Sequence, residues 1–128
     1  MSTPAIIGIS DGINIRATYV HFDGYVSHTG FILNDHYNKP DKINSLIDLG
    51  ELSTIGTDTD HCQAYGRDRG ETDTEPKCFL SLADFVAFGK SYYAAYNYLY
   101  EGDRWVINKI GSDLWIPLYM AIDSDIFP

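Results

Sequence analysis

The chain is 128 residues long, 45% hydrophobic and 14% aromatic, which excludes a disordered segment and suffices for one domain around a single sizeable core. Eighteen acids stand against nine bases, and the resulting net charge of −9 disfavours a direct grip on a phosphate backbone, which needs clustered Lys and Arg. Such a charge serves solubility, and it also suits an encounter with a basic surface, for instance that of a nucleic-acid-binding protein. No apolar run has the length of a transmembrane helix, and Met1-Ser2-Thr3-Pro4-Ala5 lacks the basic and apolar regions of a signal peptide. A cytoplasmic protein away from membranes is therefore expected. Cys62 and Cys78 form no C-x-x-C pair, so they read as free thiols rather than a disulfide or zinc framework.

In chain order, Ile6 to Ile9 and Ile13 to Phe22 are β-rich runs joined by Ser10-Asp11-Gly12, a hairpin signal. The second run alternates small or aromatic with polar residues and leaves the sheet at Asp23-Gly24. It thereby delivers Tyr19, His21, Asp23 and Tyr25 to one end. Val26, Gly30, Leu33 and Tyr37 fall at helical spacing, which predicts a helix from about Ser27 to Tyr37. Pro40 and Asp41 suit the first turn of a second helix, with Ile43, Leu46 and Ile47 as its buried stripe and Gly50 as its stop. Leu52 to Asp60 reads as a polar, mobile connection. His61 to Tyr65 alternates as a strand and runs into Gly66-Arg67-Asp68-Arg69-Gly70-Glu71, read as a loop. A second polar loop spans Thr72 to Lys77. Ser81-Leu82-Ala83-Asp84 resembles a capping box that opens a helix closing near Gly89. Tyr92 to Tyr100 has strand period, and Glu101-Gly102-Asp103 turns it into Arg104 to Ile110, a second hairpin. Trp115, Leu118 and Ile122 predict a short last helix with Pro117 near its first turn. The order β-β-α-α-β-α-β-β-α predicts an α+β fold: a mostly antiparallel sheet built from hairpins, with helices packed on one face.

Two stretches concentrate chemistry. Tyr19, His21, Asp23 and Tyr25 bring phenols, an imidazole and a carboxylate to one strand end, and a His-Asp pair has the make-up of a general base. Arg67, Asp68, Arg69 and Glu71 place two guanidiniums about a carboxylate between glycines. Arg67 and Arg69 have the geometry to clamp a phosphate, but internal pairing with Asp23, Asp68 or Glu71 is the favoured reading. His21, Asp23, His36, His61 and Cys62 match no zinc-ligand spacing, so neither metal nor cofactor is expected. No nucleophile elbow, Walker or G-x-G-x-x-G motif is present, and catalysis is not indicated.

The runs Tyr19-x-His21-x-Asp23-Gly24-Tyr25, Gly30 with Leu33-x-x-His36-Tyr37, Lys42-x-x-x-Leu46-Ile47-x-Leu49-Gly50-x-Leu52-Ser53 and Ala64-Tyr65-x-Arg67-Asp68-Arg69-Gly70-Glu71 resemble a family of small phage and prophage proteins. Tyr96-x-Tyr98-Leu99-Tyr100 with Trp105, and Trp115-x-Pro117-Leu118, are similar too. Phe22 stands where Trp is expected in many relatives. The resemblance implies a viral or mobile-element origin and no particular chemistry.

The function expected first is a small acidic accessory protein that binds and inhibits or modulates a host protein with a basic surface, as an anti-restriction or anti-CRISPR-like factor would. Direct nucleic-acid contact is not expected. Asp58 and Asp60 are the first candidates for partner contact. The alternative is a small phosphate- or nucleotide-directed enzyme using His21 and Asp23 with Arg67 and Arg69; a virion component ranks last. The candidate cluster comprises Tyr19, His21, Asp23, Tyr25, His36, Tyr65, Arg67, Asp68, Arg69 and Glu71, and the two motifs are expected to lie side by side.

Overall fold

The computed structural model describes residues 2–124. Its strands form one eight-stranded, mostly antiparallel sheet. The first hairpin pairs β1 (Ala5–Ser10) with β2 (Ile15–Val20), in the register Ile6 to Tyr19 and Ile9 to Arg16. Asp11 makes its turn, accepting from the backbone N–H groups of Ile13 and Asn14 at 2.8 and 2.7 Å. The second predicted hairpin is also present, as β6 (Tyr96–Glu101) against β7 (Arg104–Lys109), but its first strand starts at Tyr96 rather than Tyr92, because Tyr92 caps the preceding helix, its N–H donating to the Phe88 carbonyl.

The sheet closes between these hairpins through a pairing that joins the two ends of the chain. β1 lies parallel to β6, with Ala5 opposite Tyr96 and Ile9 opposite Tyr100. On the far side of β2 two short strands share one edge. β3 (Leu52–Thr54) runs parallel to its end and carries β4 (Gln63–Ala64), while β5 (Lys77–Phe79) runs antiparallel to its start. β3 lies where a polar connection was expected, β5 begins at Lys77, the last residue of the second expected loop, and β8 (Ile116–Pro117) extends the opposite edge beyond β7. Strands of two or three residues offer too little periodicity to stand out from loops.

Alternation along β1 and β6 gives the sheet two apolar faces. Ala5, Ile7, Ile9, Tyr98 and Tyr100 face the larger core. A π-type turn (Val26–Gly30) leading into α1 (Phe31–His36), α2 (Pro40–Asp48) and α5 (Leu118–Ser124) cover it. Ile43, Leu46 and Ile47 of α2 are fully buried there, as its stripe predicts. Each such side chain contributes roughly 1.5–3 kcal/mol of transfer free energy. The other face carries Ile6, Ile15, Ala17 and Leu99. Here α4 (Leu82–Ser91) lies across the sheet and buries Phe85, so helices flank the sheet on both faces rather than one. Gly8, with no side chain, leaves room for the Phe85 ring: a Cβ there would come within 2.7 Å of it. The Ser81 hydroxyl accepts from the Asp84 N–H at 3.1 Å, the predicted cap of α4.

The Arg-Asp-Arg stretch is not an open loop. Tyr65–Arg69 forms a helical turn, α3, closed by Gly70 in the left-handed region. His61 to Tyr65 gives only the two strand residues of β4, because Thr59–His61 makes a tight turn before it. Among the described residues no helix is long and apolar enough to cross a membrane.

Candidate functional site

The site forms at the end of the sheet where β2 finishes. Past Val20 the chain stays extended, and the His21 and Phe22 N–H groups donate to Leu52 and Ser53 carbonyls, both at 2.9 Å. That ladder holds the His21 ring at the sheet edge, stacked on Phe22 with centroids 4.2 Å apart. Asp23 then takes a positive φ of 60°, which Asp tolerates, and the chain turns away. The turn is tied to the core. Gly24 donates to the Thr3 carbonyl at 2.7 Å, and the buried Tyr98 hydroxyl donates to the Gly24 carbonyl at 2.7 Å.

Glu51 follows Gly50, the residue after the last turn of α2, and its backbone clasps two other segments. Its N–H donates to the Thr74 carbonyl at 2.8 Å, and its carbonyl accepts from the Tyr65 N–H at 3.1 Å. Gly50 makes the first contact possible. Its φ is +77°, and a Cβ there would lie 2.1 Å from the Thr74 carbonyl oxygen. Tyr65 is thereby set beside Glu51, and its hydroxyl lies 3.0 Å from His21 Nδ1, one donating to the other. From the opposite direction α4 ends at Tyr92, whose hydroxyl donates to Glu51 Oε2 at 3.3 Å. Tyr19 on β2 completes the group, its ring 4.8 Å from that of Tyr92 and 5.8 Å from that of His21.

Three phenols, an imidazole and one carboxylate thus gather at this corner, Tyr92 bonding the carboxylate and Tyr65 the imidazole, and all five side chains are half-buried. Burial pushes the Tyr19 and Tyr92 phenols above their ordinary range, and the Glu51 charge adds to both shifts. Both remain protonated at neutral pH, and Tyr92 acts as a neutral donor. Arg69 lies over the Tyr65 ring, 5.0 Å from its centroid, so one aromatic face already holds a guanidinium.

Of the residues singled out in the sequence, Tyr19, His21 and Tyr65 come together, with Arg69 over the Tyr65 ring. Glu71 joins through its backbone, its N–H donating to the Tyr65 carbonyl at 3.1 Å, while its side chain is exposed. Arg67 and Asp68 face inward on their own loop. Arg67 donates to Asp68 at 2.9 Å and to the Thr59 and Cys62 carbonyls at 2.8 Å, and Asp68 accepts from the Ala64 N–H at 2.8 Å. The internal pairing favoured from sequence is the arrangement seen. Asp23 meets neither arginine in any ion pair among the described residues. It shapes the turn instead, its carbonyl accepting from Thr29 Oγ1 at 2.8 Å. Tyr25 is exposed beside His28, and His36 is exposed at the end of α1. Asp58 accepts from the His61 N–H and approaches its ring Nδ1 at 2.6 Å, whereas Asp60 is exposed.

Glu51 and Tyr92 were not among the candidates. Tyr92 sits at the boundary of a run that alternates like a strand, and Glu51 follows a helix stop with no motif about it. The cue available was a lone carboxylate just past a glycine that must accept a close backbone neighbour.

Among the described residues no group of three His, Cys, Asp or Glu side chains is gathered to hold a metal ion. Cys62 and Cys78 are both free. Burial pushes the Cys62 thiol up, and the thiol sits among Gly56, Asp58 and Tyr37 as part of loop packing. Fold and site together define an α+β protein with an acidic, tyrosine-rich edge. No family model, no curated protein and no solved structure matches this chain.

Proposed function

We propose that this protein works by binding a protein with a basic surface, through the acidic edge formed by residues 51–77. The charge distribution carries the proposal. That stretch holds seven acids and three bases, a net −4 of the total −9 in about a fifth of the chain. Two of its three cations are engaged internally, Arg67 with Asp68 and Arg69 over Tyr65. The outward acids, Asp60, Glu71, Asp73 and Glu75, therefore face solvent with little compensation. Such an edge steers a basic partner toward it and speeds encounter, most strongly at low salt. With the resemblance to phage proteins, the partner we favour is a bacterial host protein built to hold nucleic acid. The chain would then inhibit or modulate it in the host cytoplasm, as a counter-defence factor does.

Phosphate-directed catalysis has no comparable support. The guanidinium needed to clamp an anion is occupied in Arg67, His21 bonds a phenol rather than Asp23, and Glu51 at the centre of the cluster repels an anion.

The test is capture from bacterial lysate across a salt series, with wild type beside the Asp60→Asn, Glu71→Gln, Asp73→Asn, Glu75→Gln variant. A specific partner should be retained at low salt, fall away as salt rises, and bind the variant about tenfold or more weakly. Capture indifferent to both salt and neutralisation, or no specific partner at all, overturns the proposal.

A further inference from the structure

We infer that the Glu51 corner is the socket for one cationic side chain, a lysine or arginine of the partner; this rests on the binding function proposed above. Side chains from four separate segments meet there: Tyr19 and His21 from the end of β2, Glu51 from the link after α2, Tyr65 from α3 and Tyr92 from α4. A group of hydroxyls that merely edged the core would satisfy one another and present no charge. Here a carboxylate bonded by Tyr92 sits in the group, half-buried, with no Lys, Arg or His paired to it among the described residues.

The supply of donors is also limited. Tyr92 donates to Oε2 of Glu51, and the Tyr65 hydroxyl is engaged with His21. Oε1 of Glu51 and the hydroxyl oxygen of Tyr19 remain as acceptors. A cation entering between the Tyr19, Tyr65 and Tyr92 rings would meet acceptor oxygens at its head and negative ring faces along its sides. Tyrosines lose few rotamers on binding, which suits a preformed anchor point. The stacking of Arg69 on Tyr65 shows that such a ring takes a guanidinium here. An anion is disfavoured at the same spot by Glu51 itself.

The socket is testable without the partner, by NMR titration of tyrosine ring resonances with butylammonium or ethylguanidinium chloride, against sodium chloride at equal ionic strength. Tyr19, Tyr65 and Tyr92 should shift saturably, while Tyr25 and Tyr119, at 38% and 54% exposure, should move no more than in sodium chloride. Glu51→Gln should weaken the saturable response about tenfold, since it removes the charge that assists the hydrogen bond. The change leaves intact the Glu51 backbone that clasps Thr74 and Tyr65. Tyr92→Phe keeps the ring and frees Oε2, and should preserve saturable binding with altered affinity. Shifts shared evenly by all tyrosines, or unchanged in Glu51→Gln, overturn the socket. If that happens while capture by the acidic edge still depends on salt and on the outward acids, the binding function stands without it. If capture also fails, both fall.

Discussion

The two ends of the central strands hold their carboxylates at different depths, exposed at one end and half-buried at the other. At the end where β1 and β6 finish, the turns at 10–14 and 101–103 and the start of α2 enclose a cleft of about 700 Å³. Some of its polar groups are engaged, while the Glu101 and Asp103 carboxylates stand exposed at its rim. Arg16 reaches to Asn44 and Asp48 of α2, and Asp11 serves its own turn. At the other end the Glu51 corner holds a half-buried carboxylate with no cation paired to it, and a Tyr19 hydroxyl with no hydrogen bond, among the described residues. A hollow shows where a ligand has room, whereas unengaged charge shows where one would be held. Here the roomier hollow leaves Glu101 and Asp103 in solvent, whereas the Glu51 carboxylate is half-buried, and the socket proposed above rests on that half-buried charge.

The largest way to break the comparison is to release α4 from the sheet. Phe85→Ala should destabilise by about 3–5 kcal/mol in urea unfolding, the usual loss for a fully buried ring. It should also loosen Tyr92 from Glu51, so butylammonium no longer gives a saturable response even where the protein stays folded. A loss of less than about 1 kcal/mol would mean that α4 is not held as described. Arg16→Ala should sharpen the contrast. The guanidinium is about a third exposed, so the loss should stay under about 1 kcal/mol, and the response at the Glu51 corner should be unchanged. An equal fall in binding at the far end would show that the ends are not independent.

The smallest effect concerns His61 beside the acidic edge. Its bond to Asp58 raises the imidazole above its ordinary 6.5, and the same contact lowers Asp58 below 3.8. The contribution of His61 is complete below 6.5 and is lost as pH rises through its higher folded value. That of Asp58 is complete above 3.8 and is lost as pH falls through its lower folded value. The 58–61 turn should thus be tightest between those limits. NMR titration should find His61 above 6.5, and Asp58→Asn should return it; no change in the variant would exclude the pair as the cause.

Elements with local signals were legible in the sequence. The two hairpins carried glycine turns, α2 had a proline start and an apolar stripe, and Ser81 capped α4. What escaped was set by distance along the chain. The parallel pairing of β1 with β6 leaves no local mark, and β5 was concealed because Lys77-Cys78-Phe79 becomes a strand only through β2 beside it. α4 takes the second face because the strands bury both faces, as Ile6 and Leu99 do alongside Ile7 and Tyr98. The site followed the same rule. Tyr19 and His21 were visible from alternation on one strand, and Tyr65 from the end of another. Glu51 and Tyr92 meet across forty-one positions, which no spacing announces.

The place of β1 between β2 and β6 also dictates when the molecule can be finished. During synthesis the first hairpin emerges early, but one edge of β1 stays open until Tyr96 to Tyr100 have left the ribosome. Such a non-local pairing closes slowly, and an open apolar strand edge invites the wrong partner in the interval. The nascent chain is therefore vulnerable for as long as the segment between β1 and β6 is being made, and β6 acts as the clasp that ends the exposure.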